Sequence, residues 1–295
     1  MSTTFSGSFV AMVTPFKNGK IDEAKVRELV EMHIAGGTDG LIPCGTTGES
    51  PTLSHDEHRR LVELVVEAAR KRITVIAGTG SNATSEAVDL TKHAERAGAT
   101  GALVVSPYYN KPTQEGLYRH FRAVADAVQI PIIVYNIASR TAVNIDTATM
   151  ARLARDCRNI VGVKEASGSL DQMAQVIAAC GPDFTVLSGD DNLTLPLMAI
   201  GGHGVISVIA NLVPRETADM VHAALDGDWK RARDLHYKLL PLARAAFLET
   251  NPIPIKEAMA MAGMLSAEFR LPMCPMGEAN RETLRGILKP YALVK

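Results

Sequence analysis

The stretch Ile160-Val-Gly-Val-Lys-Glu-Ala-Ser reads as a buried β-strand, and it carries Lys164 to its end. Burial favours the neutral amine over the ammonium, and a neutral amine can add to a ketone and form a Schiff base. The competing reading is a rim ion pair with neighbouring Glu165, whose side chain alternation should send to the opposite face. Other apolar runs also end in reactive groups. Cys44-Gly-Thr-Thr-Gly-Glu-Ser supplies two hydroxyls, Thr46 and Thr47, with glycine-flanked backbone N–H groups suited to a carboxylate. Tyr135-Asn-Ile-Ala-Ser-Arg-Thr supplies a phenol that can shuttle protons and, in Arg140, a guanidinium that can hold a carboxylate bidentately. Ser106-Pro-Tyr-Tyr-Asn-Lys-Pro adds Tyr108 and Tyr109, although adjacent aromatics beside a proline more often pack a loop. Each group also has a structural reading: a plain Gly/Thr turn, a phenol filling core, a surface salt bridge.

The elements that must position these groups recur along the chain. Apolar, β-branched runs begin at residues 9, 39, 73, 101, 131, 160, 184 and 203, with helical patterns between them. The intervals of roughly 20 to 35 residues match βα units, and the unbroken apolar character indicates parallel strands buried on both faces. Residues 22–37 and 54–71 show apolar positions at helical spacing; Asp22, Ser54 and Thr84 are expected helix starts, Gly36 and Gly98 helix ends. Eight such units close most economically into an α/β TIM barrel, (β/α)8, whose active site lies at the C-terminal strand ends. A doubly wound open sheet is the alternative, disfavoured because no Gly-x-Gly-x-x-Gly follows the first strand. Beyond about residue 212 strand signals cease, so a barrel over 1–212 and a helical region over 213–295 are expected, the latter including residues 229–249 and 251–263.

Composition narrows the function. The 295 residues are 46% hydrophobic and 21% charged with formal net charge −1, giving no polyanion-binding surface and no reason to expect nucleic acid. Cys44, Cys157, Cys180 and Cys274 show neither C-x-x-C nor Cys/His ligand spacing, so neither a disulfide framework nor a zinc site is expected. No run approaches the ~18 apolar residues of a membrane span, and no export signal is visible at the N-terminus; a reducing cytoplasm fits.

In order, Phe9–Phe16, Gly45–Ser50, Ser106–Tyr118, Tyr135–Thr141, Gly162–Gly168, Ser188–Asp191 and Gly204–Val208 resemble the dihydrodipicolinate synthase family of the pyruvate-dependent class I aldolases. The resemblance spans the whole chain. It implies condensation of pyruvate with L-aspartate 4-semialdehyde, the committed step of diaminopimelate and lysine synthesis, with no metal or cofactor. Under it, Lys164 is the Schiff-base lysine, Tyr135 the proton-relay phenol, and Thr46 its link to Tyr109, which acts in the adjacent subunit. Thr47 holds the pyruvate carboxylate, Arg140 receives the semialdehyde, and Gly189 and Ile206 line the pyruvate site. Ala138 departs from the proline common at that position, which leaves the Arg140 loop freer.

Read alone, Ser50, Pro51, His55, His58, Asn82, Glu86 and Tyr108 are a solvated helix start and surface polar groups. The resemblance instead implies an allosteric site for free L-lysine at a dimer interface, within a homotetramer built as a dimer of dimers. A sister aldolase acting on polyhydroxylated aldehydes, such as N-acetylneuraminate lyase or a 2-keto-3-deoxy sugar acid aldolase, is the alternative. A phosphate-binding barrel isomerase would need a glycine-rich cradle after strands seven and eight, which SGDDN and SVIAN do not resemble.

Overall fold

The computed structural model describes residues 5–294. Eight parallel strands appear where the apolar runs lie: β1 (Gly7–Ala11), β2 (Gly40–Ile42), β3 (Thr74–Gly78), β4 (Gly101–Val105), β5 (Ile132–Asn136), β6 (Ile160–Glu165), β7 (Thr185–Ser188) and β8 (Gly204–Ser207). Each pairs with the next, and β8 pairs with β1, closing the barrel. The TIM barrel expectation holds.

The lumen is filled from below. Phe5 and Phe9 meet edge to face, 6.2 Å between ring centroids, at the N-terminal end. Above them Ile42, Ile76, Leu103, Ile133, Leu187 and Ile206 pack as one buried cluster. Thr185, whose hydroxyl accepts from the Phe5 N–H at 3.3 Å, adds a polar group at the N-terminal end, below the apolar layer.

The outer layer is α1 (Glu23–Ala35), α2 (His55–Ala69), α3 (Thr84–Arg96), α4 (Gln114–Asp126), α5 (Thr147–Asp156), α6 (Leu170–Cys180), α7 (Thr194–Ala199) and α8 (Pro214–Leu225). Asp22 caps α1 by accepting from the Lys25 N–H, and Ser54 forms a full capping box with Glu57. Gly36 caps the end of α1, and Gly98 follows α3 at φ +87°. Thr84 is not a cap: Ala83 holds that position, and the Thr84 hydroxyl instead lies 3.0 Å from His120 Nδ1 on α4. A tertiary hydrogen bond has displaced the local one.

α9 (Trp229–Ala245), α10 (Ile253–Met261) and α11 (Glu278–Leu288) form the helical tail. α8 packs against β1 and stands in the ring of helices around the barrel. The structure adds a two-stranded ribbon that the apolar runs do not indicate, Phe16–Lys17 with Lys20–Ile21. Its signal is Asn18-Gly19, both at positive φ (54° and 75°), as a tight hairpin turn requires.

After β5 the chain makes a single turn of helix, Ala138–Thr141, entered from Ile137 at φ −149°, ψ 84°. Ala138 is its first residue, where an N–H has no intrahelical partner and proline is favoured. The extended Ile137 suits a following proline. Ala138→Pro should therefore stabilise the fold by about 0.5–1 kcal/mol through the unfolded state, read as a raised midpoint in urea with unchanged slope.

Candidate active site

Lys164 lies at the end of β6, 5% exposed. The β5–β6 register pairs Tyr135 with Lys164 and Asn136 with Glu165. Directly paired residues of neighbouring strands share a face, so the phenol and the amine both enter the lumen while Asn136 and Glu165 leave it. Lys164 Nζ is 4.4 Å from the centroid of the Tyr135 ring. Glu165 is fully engaged outside, accepting from Asn136 Nδ2 at 3.1 Å, from the Ser167 N–H at 2.9 Å and from Gln172 Nε2 at 3.3 Å. The rim ion pair between Lys164 and Glu165 is excluded.

Burial draws the Lys164 pKa down to about 8, against the charges of Asp190 and Asp191, which favour the ammonium; Arg140 adds a smaller push downward. Burial pushes the Tyr135 phenol up to about 12, opposed by Arg140 and by the Thr46 hydroxyl. The pair thus combines an amine that is partly neutral near physiological pH with a phenol that keeps its proton until a partner takes it.

Around the amine is a chamber of about 40 Å³, walled by Thr46, Thr47, Tyr135, Gly189, Asp190 and Asn251 over apolar Ala11, Ile42 and Leu103. That is room for about three water molecules, the scale of a very small acid. It adjoins an outer groove of about 230 Å³, which shares Thr46, Ile137 and Arg140 with it and adds Ser50, Pro51 and Tyr108. A larger open hollow of about 760 Å³ lies among Thr38, Arg70, Lys71 and Thr100 and shares no residue with the amine's chamber.

Thr47 is buried and its hydroxyl accepts from Asn251 Nδ2 at 3.0 Å. Arg140 donates from Nη2 to the Asn251 carbonyl at 2.9 Å, which fastens the loop that Ala138 leaves without a proline. Gly189 donates its N–H to the Glu165 carbonyl at 2.8 Å. Ile206 lies within the lumen cluster, while Val208 takes a place on the chamber wall. Tyr109 stands 89% exposed at φ 74°, away from its own chain's chamber.

The seven residues of the second constellation are only partly gathered. Ser50, Pro51 and Tyr108 line the outer groove. His55 and Glu86 are exposed, Glu86 accepting from Ser81 Oγ at 2.6 Å, and the Asn82 carbonyl accepts from Asn110 Nδ2. The His58 ring is turned inward, with Nε2 donating to the Gly78 carbonyl at 2.8 Å, and burial lowers its pKa to about 4. It is a buried, neutral ring that does not line the groove.

Asn251, Phe247 and Asp190 line the chamber and do not stand out in the sequence. Asn251 and Phe247 belong to the helical tail, where residues 251–263 read only as an amphipathic helix. The Asn251 Oδ1 is buried without a partner, an acceptor left open at the chamber. Asp191, next to Asp190, serves the frame: it accepts from the Ser207 hydroxyl and from the N–H groups of Val208 and Ile209.

Residues 4–291 match the model of the Dihydrodipicolinate synthetase family. The chain belongs to that family. Within the dihydrodipicolinate synthetase family, the 4-hydroxy-tetrahydrodipicolinate synthase of Syntrophus aciditrophicus (strain SB) is 58% identical over 290 residues, covering 98% of this chain and 99% of that protein. The crystal structure of dihydrodipicolinate synthase from Aquifex aeolicus superposes with TM-score 0.97 at 54% identity, covering 98% of this chain and 99% of that one. Two solved family structures carry ligands. The chloride-inhibited enzyme from Acinetobacter baumannii is complexed with pyruvate (TM-score 0.96, 44% identity, 99% and 100% covered), and that from Cyanidioschyzon merolae has lysine bound (TM-score 0.95, 40%, 99% and 100%). The protein is accordingly a lyase of the dihydrodipicolinate synthase type.

A Cβ on Gly189 would lie 2.5 Å from Ala166 Cβ and 3.1 Å from Lys164 Cε. Gly189→Ala should push the amine off its position and slow reductive trapping of an α-keto acid by about 10- to 100-fold. Mass spectrometry of borohydride-quenched time points checks this, and an unchanged rate would show that the contact does not set the amine's place.

Proposed function

We propose that the protein is a 4-hydroxy-tetrahydrodipicolinate synthase, joining pyruvate to L-aspartate 4-semialdehyde through a Schiff base on Lys164. The observation that carries this reading is the dehydrated Lys164 amine held against the Tyr135 ring in a chamber of about 40 Å³. The pyruvate complex of the A. baumannii relative supports the keto acid.

The Lys164 nitrogen adds to the pyruvate ketone, and the resulting carbinolamine loses water as its hydroxyl takes a proton from the Tyr135 phenol. The iminium withdraws electrons from the methyl carbon, which gives up a proton to become an enamine. That carbon attacks the aldehyde, whose oxygen takes the proton. The semialdehyde's own amino group then attacks the iminium carbon, displaces Lys164 and closes the ring. Thr47 holds the pyruvate carboxylate, Arg140 receives that of the semialdehyde, and Thr46 passes protons between Tyr135 and Tyr109 of an adjacent subunit. Tyr109's exposure and the neighbouring 230 Å³ groove, into which a second copy's side chain could fit, support a dimer as the minimal active unit and a homotetramer as the full assembly.

Pyruvate-dependent turnover of L-aspartate 4-semialdehyde should be robust in the wild type and fall by about three orders of magnitude in Lys164→Ala. An enzyme that traps pyruvate but does not turn over the semialdehyde belongs with the sister aldolases. Because the folded amine loses its proton near pH 8, trapping should rise about fivefold from pH 7 to 8 and less than about twofold from pH 8 to 9. A rate still climbing about tenfold per pH unit beyond 9 would mean an unshifted lysine.

Free L-lysine is the proposed inhibitor, bound where Ser50, Pro51 and Tyr108 border the groove and Glu86 offers a carboxylate to an ammonium group. The lysine-bound C. merolae relative supports this. Millimolar L-lysine should lower the rate at least about twofold in the wild type and not in Glu86→Ala, whose uninhibited rate stays normal. A wild-type rate unmoved by lysine would end this part of the reading.

A further inference from the structure

The mechanism leaves unused a fully buried ion pair beside the chamber. Lys256, on α10, has no exposed side-chain surface, and the Glu49 side chain is 1% exposed. Lys256 Nζ donates to Glu49 Oε1 and, at 2.7 Å, to the Glu268 carbonyl. It also lies 4.5 Å from the Phe16 ring centroid and 4.9 Å from that of Phe269. The second Glu49 oxygen accepts from the Arg270 N–H at 3.3 Å. Two charges taken out of water this completely cost more than an apolar pair of the same shape would, so fold stability alone gives little reason for them.

Their position supplies one. Glu49 stands in the loop after β2, at φ 53°, three residues beyond Thr46. Its own N–H donates to the Thr46 carbonyl at 3.1 Å, and the Gly48 N–H donates to the Gly45 carbonyl at 3.1 Å. The carboxylate is therefore the outer anchor of a tight turn that presents Thr46 and Thr47 to the chamber. At the other end of the pair, Lys256 fixes α10, whose leading segment delivers Asn251 to both Thr47 and Arg140. One ammonium thus ties the turn of Thr46 and Thr47 to the segment holding Arg140.

We propose that Glu49 and Lys256 are positioning residues for the reaction: their ion pair sets Thr46 and Thr47 against the Schiff-base site. This rests on the Schiff-base reading of Lys164. The pair touches no reacting atom and acts through the turn.

Removing one partner strands a buried charge, so the single variants can fail to fold. Glu49→Gln combined with Lys256→Met removes both charges at similar volume and should keep the thermal midpoint within a few degrees. With Lys164 intact, this double variant should still trap pyruvate completely under borohydride. Its KM for pyruvate should rise and its kcat fall, each by about tenfold, as displacement of the two threonines predicts. Phe269→Leu keeps both charges and removes one ring over the ammonium; it should show the same pattern at about two- to threefold, and it decides the matter if the double variant does not fold. Unchanged KM and kcat in a folded double variant, or in Phe269→Leu where the double variant does not fold, overturn the proposal. Wild-type protein that traps no pyruvate overturns the underlying reading instead, whatever the variants do.

Discussion

An amine is a nucleophile at neutral pH only where water is kept from its ammonium form. Lowering Lys164 from 10.5 to about 8 corresponds to about 3 kcal/mol of differential stabilisation of the neutral form. The fold supplies that dehydration by ending β6 over a lumen packed with Phe9, Ile42, Leu103, Ile133 and Leu187. The opposing pull of Asp190 and Asp191 keeps the shift moderate. A more apolar rim would lower the amine further and weaken it as a base for later proton transfers, while an open rim would leave it protonated. The chemistry therefore depends on the barrel core below it as much as on the groups beside it.

Strand parity turns that environment into a site. In the β5–β6 pair, two consecutive positions give opposite outcomes: Tyr135 and Lys164 meet inside, Asn136 and Glu165 meet outside. The outer pair joins Asn144 and Gln172 in a closed network that holds the two strands in register. A slip of one residue would exchange the two sets, burying a carboxylate in the lumen and sending the amine into the helical layer. The structural half of the pattern is what makes the reactive half reproducible.

Much of this is legible in the chain because strands and helices advertise themselves by period. Eight unbroken apolar runs indicate a closed parallel sheet, and a charged or phenolic residue at a run's end marks the catalytic mouth. The departures share a cause. Thr84 has the residue type and place of a cap because caps are local, yet His120, 36 residues away, claims its hydroxyl. Asn251 lies 204 residues from Thr47 and reads as the start of an ordinary helix. Its buried, partnerless oxygen has no counterpart in periodicity or motif spacing. The Asn18-Gly19 turn, by contrast, is a strong local signal, but the strands beside it are two residues each, too short to show a period.

The helical tail is therefore part of the wall around the Lys164 amine and not a cover laid over a finished barrel. It brings Asn251 and Phe247 to the chamber, restrains Arg140 through a main-chain carbonyl, and meets the β2 turn through Lys256 and Glu49. A barrel alone offers strand ends pointing upward, with loops free to move above them. Closing part of that mouth with a helix narrows the inner chamber to about 40 Å³ and leaves the outer groove of about 230 Å³ beside it. It also answers the difficulty raised by Ala138. The loop lacks a proline, but Arg140 is held from the other side, by a contact that no reading of the loop's own residues could reveal. Where a catalytic loop is fixed by a distant segment, substitutions within the loop can be mild and substitutions in the distant segment severe.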